Sequence, residues 1–400
     1  MDLELFQKAP FGDLIPISGT SPDGTPWHHR AFLPHALGDD SPELTGEAYR
    51  RVGDARAALA ALDATAQRLP NPSLFRTSTL RLEAQSTAAL EGTYEPLADV
   101  LAADSEDPQD ASMREVLNYV IVAETAFGWA EEGRRWTVSS LADLQAQLMD
   151  GTSSEREFSG MVRPIQVVIG RRDEVPLTEL PIKAARYVPP PPGHDLEARL
   201  GDLINWMQED HSAQIDPVVA AAMAHYEFEA LHPFHDGNGR LGRLLIVLQL
   251  YASGVLAEPT LSVSPWFEQR RSEYYDSLLS VSSNGDWSGW VEFFALGLAQ
   301  SAKTAQKRML DLATVQAHLK DRLRATTIRT ANARVLIDFA VGHPIFTVAQ
   351  AAKAMAMGAA GAKKLIDSMV RHEILQPFGA RVYQRRFHAP EVTDVLLRGG

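Results

Sequence analysis

Four hundred residues with a net charge of −13, 45% apolar and 22% charged, have the composition of an ordinary soluble globular protein of roughly two to three domains. The negative balance argues against the whole chain sheathing a nucleic acid, and the lack of cysteine excludes disulfides and thiolate chemistry, which fits a reducing cytoplasm. The acidic start Met1-Asp-Leu-Glu-Leu5 has no signal-peptide pattern, and the most apolar stretch, Leu244 to Leu256, is too short for a membrane span.

Residues 1–45 are rich in Pro, Gly and Asp and read as an irregular wrapping segment. Helical spacing then runs from Gly46 to Arg68, with Leu59 and Leu62 among its apolar positions, and stops at Pro70-Asn-Pro72. A second helix covers Phe75 to Leu90, with Gly92 placed to terminate it. Met113 to Trp129 and Val138 to Met149 repeat the helical periodicity. Gln166-Val-Val-Ile-Gly170 and Ala185-Arg-Tyr-Val188 read as short strands, and Pro189 to Pro192 as a stiff spacer. Leu196 to Gln208 and Pro217 to Leu231 are amphipathic helices, and the second delivers the chain into His232. Trp266 to Leu279 follows the core helix, and Gly285 to Trp290 with Phe293 and Phe294 form a turn and an aromatic helix. Ala302 to Arg324 reads as a charged connector helix.

The last quarter differs in charge, with ten Lys+Arg against five Asp+Glu over residues 326–400, or +5, leaving −18 on the rest. Ala331 to Val341 is helical, Thr347-Val-Ala-Gln350 has the form of a capping box opening a helix to Met355, and Ala359 to His372 is the next helix. Ile374 to Phe378 and Val382 to Phe387 flank Gly379-Ala-Arg381 as a two-strand wing. This order resembles a winged helix-turn-helix. Lys363, Lys364, Arg381, Arg385 and Arg386 suit phosphate contacts, but Ala359-Ala-Gly-Ala362 offers no side chain able to read bases. DNA and protein both stay open as partners of this module.

The chemistry concentrates in His232-Pro-Phe-His-Asp-Gly-Asn-Gly-Arg-Leu-Gly-Arg243. Gly237 and Gly239, either side of Asn238, allow successive backbone N–H groups to approach an anion. Leu241 to Tyr251 reads as a helix, so the turn sits at an N-terminus that favours phosphate. Arg240 and Arg243 are three apart and can reach one triphosphate. Asp236 offers hard oxygens to magnesium, and His232 is a base available near neutral pH. A zinc site built on His225, His232 and His235 lacks supporting cysteine or acidic spacing.

This run resembles the Fic-family signature His-Pro-Phe-x-Asp-Gly-Asn-Gly-Arg-x-x-Arg at every defining position. The resemblance implies a mostly α-helical fold with a small β-hairpin flap, and transfer of AMP from ATP to a protein hydroxyl. It implies that His232 takes the hydroxyl proton and that Asp236 holds magnesium against the α- and β-phosphates. Gly237, Asn238 and Gly239 would cradle phosphates, and Arg240 and Arg243 would bind the β and γ positions. Thr87-Ala-Ala-Leu-Glu91-Gly92 resembles the family's inhibitory motif, in which Glu91 pairs with Arg243 and denies the γ-phosphate its seat. The two short strands resemble the flap that lays the target protein beside the site, and Tyr275 is the expected wall of the adenine pocket.

The expected organisation is an N-terminal helical region over 1–105, a Fic catalytic domain over 106–300, a connector helix over 301–325 and the winged helix-turn-helix over 326–400. A nucleotide-sensing transcriptional regulator, or removal of AMP by the same site, are the alternatives. A homodimer stays open.

Overall fold

The computed structural model describes residues 1–21, 24–69, 71–103, 110–379 and 385–398. Among these residues helices dominate, with three small antiparallel sheets and one continuous apolar core.

The chain opens with a single turn, α1 (Leu3–Phe6), and then a nine-residue hairpin of β1 (Gly12–Thr20) and β2 (Pro26–Pro34), registered from Gly12 opposite Pro34 to Thr20 opposite Pro26. The irregular segment expected here is therefore a β-ribbon. Pro16 and Pro26 hid it, yet a two-stranded ribbon consists of edges, where a missing N–H is tolerated. It is anchored by Phe32, which is fully buried, touches the Phe6 and Tyr187 rings and donates its N–H to Val188 O at 2.9 Å.

Helix α2 (Gly46–Arg68) begins where Thr45 Oγ1 accepts from Ala48 N–H, and buries Val52, Ala55, Leu59, Leu62 and Ala66. After a 3₁₀ turn over Pro72–Phe75, α3 (Arg76–Leu90) is buried on nearly every side, and α4 (Leu97–Ala102) follows it. Next come α5 (Ala111–Glu131), α6 (Val138–Met149), β3 (Ile169–Arg171), α7 (Pro181–Ala184) and β4 (Ala185–Tyr187). Strands β3 and β4 pair antiparallel, Ile169 opposite Tyr187 and Arg171 opposite Ala185.

Helices α8 (His194–Trp206), α9 (Pro217–Leu231) and α10 (Asn238–Ala252) form the heart of the molecule. Almost every residue of α9 and α10 is buried, as expected of helices that are apolar all round. Beyond them lie α11 (Ser264–Glu268) and α12 (Arg271–Asn284). Then α13 runs unbroken from Trp287 to Ala325, 39 residues. The closing aromatic helix and the separate connector expected from the sequence are thus one helix. Its first half buries Trp290, Phe294 and Leu298, and Gly297 lets it pass Trp266, whose ring would be 2.8 Å from a Cβ there. Its last turns meet the C-terminal region, where Arg322 and His318 both pair with Glu391.

That region contains α14 (Asn332–Gly342), β5 (Ile345–Thr347), α15 (Val348–Ala354), α16 (Ala359–Arg371), β6 (Gln376–Phe378), β7 (Arg386–His388) and α17 (Pro390–Leu397). The Thr347–Gln350 capping box is present. The sheet has three strands in the order β5-β7-β6, so the two-stranded wing gains a partner that sequence reading missed, and the Arg381 turn lies outside the described residues. No helix among the described residues is long and apolar enough to cross a membrane.

Candidate active site

The site is built where α9 breaks. His232 caps α9 in the left-handed region, φ 48° and ψ 60°, although it is not glycine. Pro233 disfavours helical geometry at the preceding residue, but left-handed backbone costs ~1 kcal/mol or more, so something must hold it. Arg163 does. It is 1% exposed, its Nε donates to His232 O at 2.7 Å, its Nη1 to Ile165 O at 3.0 Å and its Nη2 to Pro190 O, while its backbone N–H donates to Pro233 O at 2.9 Å. Burial pulls its pKa down to about 10, so it stays charged at neutral pH. Arg163→Met should remove several charge-assisted bonds at once and lower stability by ~2–4 kcal/mol in urea titration. An unchanged midpoint would show that the turn holds itself.

The turn after His232 is braced by Asn238, whose Oδ1 accepts from Phe234 N–H at 2.8 Å and whose Nδ2 donates to Phe234 O at 2.7 Å. The side chain of Asn238 is thus spent on shaping the loop. Gly237 is left-handed, φ 81°, and a Cβ there would sit 2.9 Å from Leu148 Cδ2, so glycine is required twice over. His232 itself is half-buried, and its Nδ1 is buried without a partner. Burial, helped by Arg163, pushes its pKa down to about 4 despite Glu91, the Glu229 backbone carbonyl and Asp236. At neutral pH it is an uncharged base. His225 and His235 are engaged by protein groups, His225 between Gly242 O and Tyr274 Oη and His235 with Ser154 O.

The two arginines part company. Arg240 Nη1 donates to Glu115 Oε1 at 2.6 Å and Nη2 to Asp236 Oδ1 at 2.9 Å. Burial works against ionisation of Asp236, but Arg240, Ser154 and the Gly237 N–H outweigh it and hold its carboxyl below the usual range. Arg243, wholly buried, donates from Nε to Thr87 Oγ1 at 2.8 Å and from Nη2 to Glu91 Oε1 at 2.6 Å and Thr87 O at 3.2 Å. Burial opposes its charge, yet Glu91 and the other groups beside it raise its pKa above the usual value. The Glu91 carboxylate also occupies the first turn of α10, since a Cβ on Gly239 would lie 2.3 Å from Glu91 Oε1.

A cavity of about 340 Å³ opens beside this pair. It is lined by His232, Gly239, Arg243 and Glu91 and by the apolar side chains of Val168, Ile169, Leu278 and Leu279. Tyr275 is in the wall, while Tyr274 is fully buried and stacked on Phe267.

Residues 135–250 match the Fic/DOC family model, and residues 49–128 match the Fic/DOC family N-terminal model. The chain contains a Fic/DOC family domain and that family's N-terminal region. It is 34% identical over 157 residues to "Protein adenylyltransferase Fic" of Drosophila virilis, covering 39% of this chain and 29% of that protein. It is 31% identical over 160 residues to "Protein adenylyltransferase fic-1" of Caenorhabditis elegans, covering 39% and 30%. The match thus spans less than a third of those curated relatives. A crystal structure of a Fic family protein from Desulfovibrio desulfuricans G20 shares the fold over 88% of this chain and 98% of its own, with a TM-score of 0.53 and 21% identity.

The Fic/DOC match contains the whole His232–Arg243 run, and the N-terminal match contains Thr87 and Glu91. Tyr275 and residues 326–400 lie outside both. The structure gathers His232, Gly239, Arg243, Glu91 and Tyr275 at one cavity. It does not bring Arg240 or Asp236 into that lining. Instead Arg240 pairs with both Asp236 and Glu115, so the two arginines expected to share one triphosphate are held by different acids, Arg240 by Asp236 and Glu115 and Arg243 by Glu91. Glu115, Arg163 and Glu229 are site residues that the sequence reading missed. Arg163 stands as a single charge between Ser159 and Gly170, which could have marked it, whereas Glu115 and Glu229 have other charged residues, Arg114 and Glu227, within two positions and carry no such signal.

Proposed function

We propose that this chain is a protein adenylyltransferase that transfers AMP from ATP to a Ser, Thr or Tyr hydroxyl of a target protein. The observation that carries this reading is the shared cavity of an uncharged His232 with an unpartnered Nδ1, the Gly239 turn at the start of α10, and Arg243. The names of the relatives support it. In the reaction a hydroxyl oxygen bonds to the α-phosphorus, the bond to the leaving pyrophosphate breaks, and the hydroxyl proton passes to His232. Arg243 and the backbone N–H groups of the turn stabilise negative charge. The apolar wall and Tyr275 would hold the base, and the β3–β4 ribbon would seat the target backbone as an added strand.

The residues present fit a magnesium ion. Asp236 keeps an ionised carboxylate that is still about one-third exposed, and magnesium is commonly bound by one or two carboxylates together with substrate phosphates. Asp236 would hold it, and the ion would neutralise phosphate charge as the leaving group departs. Among the described residues no cluster of three or more acidic or histidine ligands exists, so affinity would come with the nucleotide. Transfer should therefore disappear in excess chelator and return with magnesium or manganese. Transfer that persists with free metal shown to be absent would contradict this.

We read the C-terminal module as a winged helix that docks a partner, and the protein as cytoplasmic. The decisive test of the activity is chemical. Glu91→Gly protein incubated with ATP labelled at the α-phosphate should label protein, whereas γ-labelled ATP should not. Labelling from γ-labelled ATP alone would mean phosphate transfer, and none from either would remove the reading.

A further inference from the structure

Glu229 lies one turn before His232 on α9 and lines the same cavity as Glu91, Arg243 and Tyr275. It belongs to neither the His232–Arg243 run nor the Thr87–Gly92 segment. Its Oε1 is buried with no hydrogen-bond partner, and it lies against the bare backbone of α10, where a Cβ on Gly242 would be 2.6 Å away. Two acids therefore line the cavity that Arg243 also lines. Glu91 is bonded to Arg243, while Glu229 is near enough to act on its charge.

Glu91 has to leave Arg243 before a phosphate can take its place. A fully buried cation without a counter-charge is strongly disfavoured, and of the two other carboxyls that feel its charge, Glu83 is engaged by Ser262 and Ser264 while Glu229 lines the cavity with its Oε1 unpartnered. We propose that Glu229 is a positioning residue for Arg243: it supplies the counter-charge when Glu91 withdraws, and takes up a proton when a nucleotide phosphate arrives. This rests on the nucleotide-binding reading above. One proton moves from solvent to the Glu229 carboxylate as phosphate replaces it as the partner of Arg243, and no other bond changes.

The surroundings leave Glu229 free to play this part near neutrality. Burial pushes its pKa up to about 7, with Arg243 pulling down and Glu91 pushing up. On α12, burial pushes Tyr274 well above its ordinary value and Tyr275 up to about 12. On its own helix and cap, burial pushes His225 down to about 3 and His232 to about 4. Arg186 of β4 and Arg271 of α12 also line the cavity. Withdrawing Glu91 removes a like charge and favours ionised Glu229, whereas an arriving polyphosphate restores negative charge and favours the protonated form.

The test is calorimetry with α,β-methylene ATP and magnesium, run near pH 7 in two buffers of different ionisation enthalpy. Binding to Glu91→Gly should take up roughly half a proton or more per nucleotide beyond that seen with Glu91→Gly/Glu229→Gln. Equal proton counts in the two proteins would overturn the proposal. Should the double variant fail to fold by circular dichroism, Glu91→Gly alone decides. Between about pH 7.5 and 9, where the ligand's phosphates no longer titrate, its affinity should fall about 3-fold or more. A flat profile overturns the proposal. Absence of any nucleotide binding by folded Glu91→Gly would instead sink the nucleotide reading, so the two failures are distinguishable.

Discussion

Replacing His232 by alanine should cost ~10²–10⁴-fold in transfer rate while leaving nucleotide affinity nearly unchanged, the range expected when a general base is lost. The ring sits at the cap of α9 with its Nδ1 unpartnered, and burial keeps it in the base form down to about pH 4. Phosphate binding is assigned to other groups, so truncation at Cβ should spare it. Alanine keeps a Cβ at a left-handed position and the carbonyl that Arg163 grips, so the turn should survive. The measurement pairs labelled-AMP transfer with nucleotide titration, both made on protein shown to be folded. Full transfer by the alanine protein would take His232 out of the mechanism.

Much of this architecture was legible because local rules and tertiary structure agree. The helices over 138–149 and 217–231 begin and end where apolar periodicity places them, and Thr137 and Asp216 cap their starts in the structure. Gly92 ends the inhibitory-type segment with φ 99°, as its position after Leu90 suggested. The misses share a different cause, since they depend on partners remote in sequence. The β1–β2 ribbon is anchored by Val188, some 150 residues on, and nothing near Phe32 announces it. Strand β5 is three residues long and exists by pairing with β7. Continuity of α13 follows from α2 lying along it, which local propensity at residues 300–302 does not record. At the site, glycines and histidines were readable because their backbone or chemical needs are local. The Glu91–Arg243 pair was expected from the motif resemblance, but the pairing of Arg240 with Glu115 was not, because the spacing of two side chains says nothing about which acid lies nearest each fork.

Glu91→Gly should raise transfer at least ~10-fold, equivalent to ~1.4 kcal/mol of barrier. In the structure the Glu91 carboxylate does two things at once. It bonds Arg243 Nη2 at 2.6 Å, and it stands against Gly239 at the first turn of α10, where backbone donors would otherwise meet phosphate. A γ-phosphate approaching that seat meets a like charge and loses its bidentate arginine, so the nucleotide would settle with its α-phosphate out of line for attack. The obstruction is held firmly. Helix α3 is pinned by the buried Glu83, which accepts from Ser262 Oγ at 2.7 Å, Ser264 N–H at 3.0 Å and Ser264 Oγ at 2.5 Å. Thr87 grips Arg243 from the same helix. Glycine at 91 removes the competitor and leaves these anchors in place. Its backbone there, φ −89° and ψ −2°, is ordinary for any residue. Deleting a partner of the buried Arg243 should also lower the melting temperature, and saturating nucleotide should restore part of it, because a ligand that binds the folded state stabilises it. Arg243→Ala should not reproduce the gain, since it deletes the phosphate partner together with the inhibitor's. Self-labelling from α-labelled ATP, with folding checked by circular dichroism, measures the outcome. If folded Glu91→Gly labels no faster than the parent, the Glu91–Arg243 pair is a structural contact and control of the site lies elsewhere.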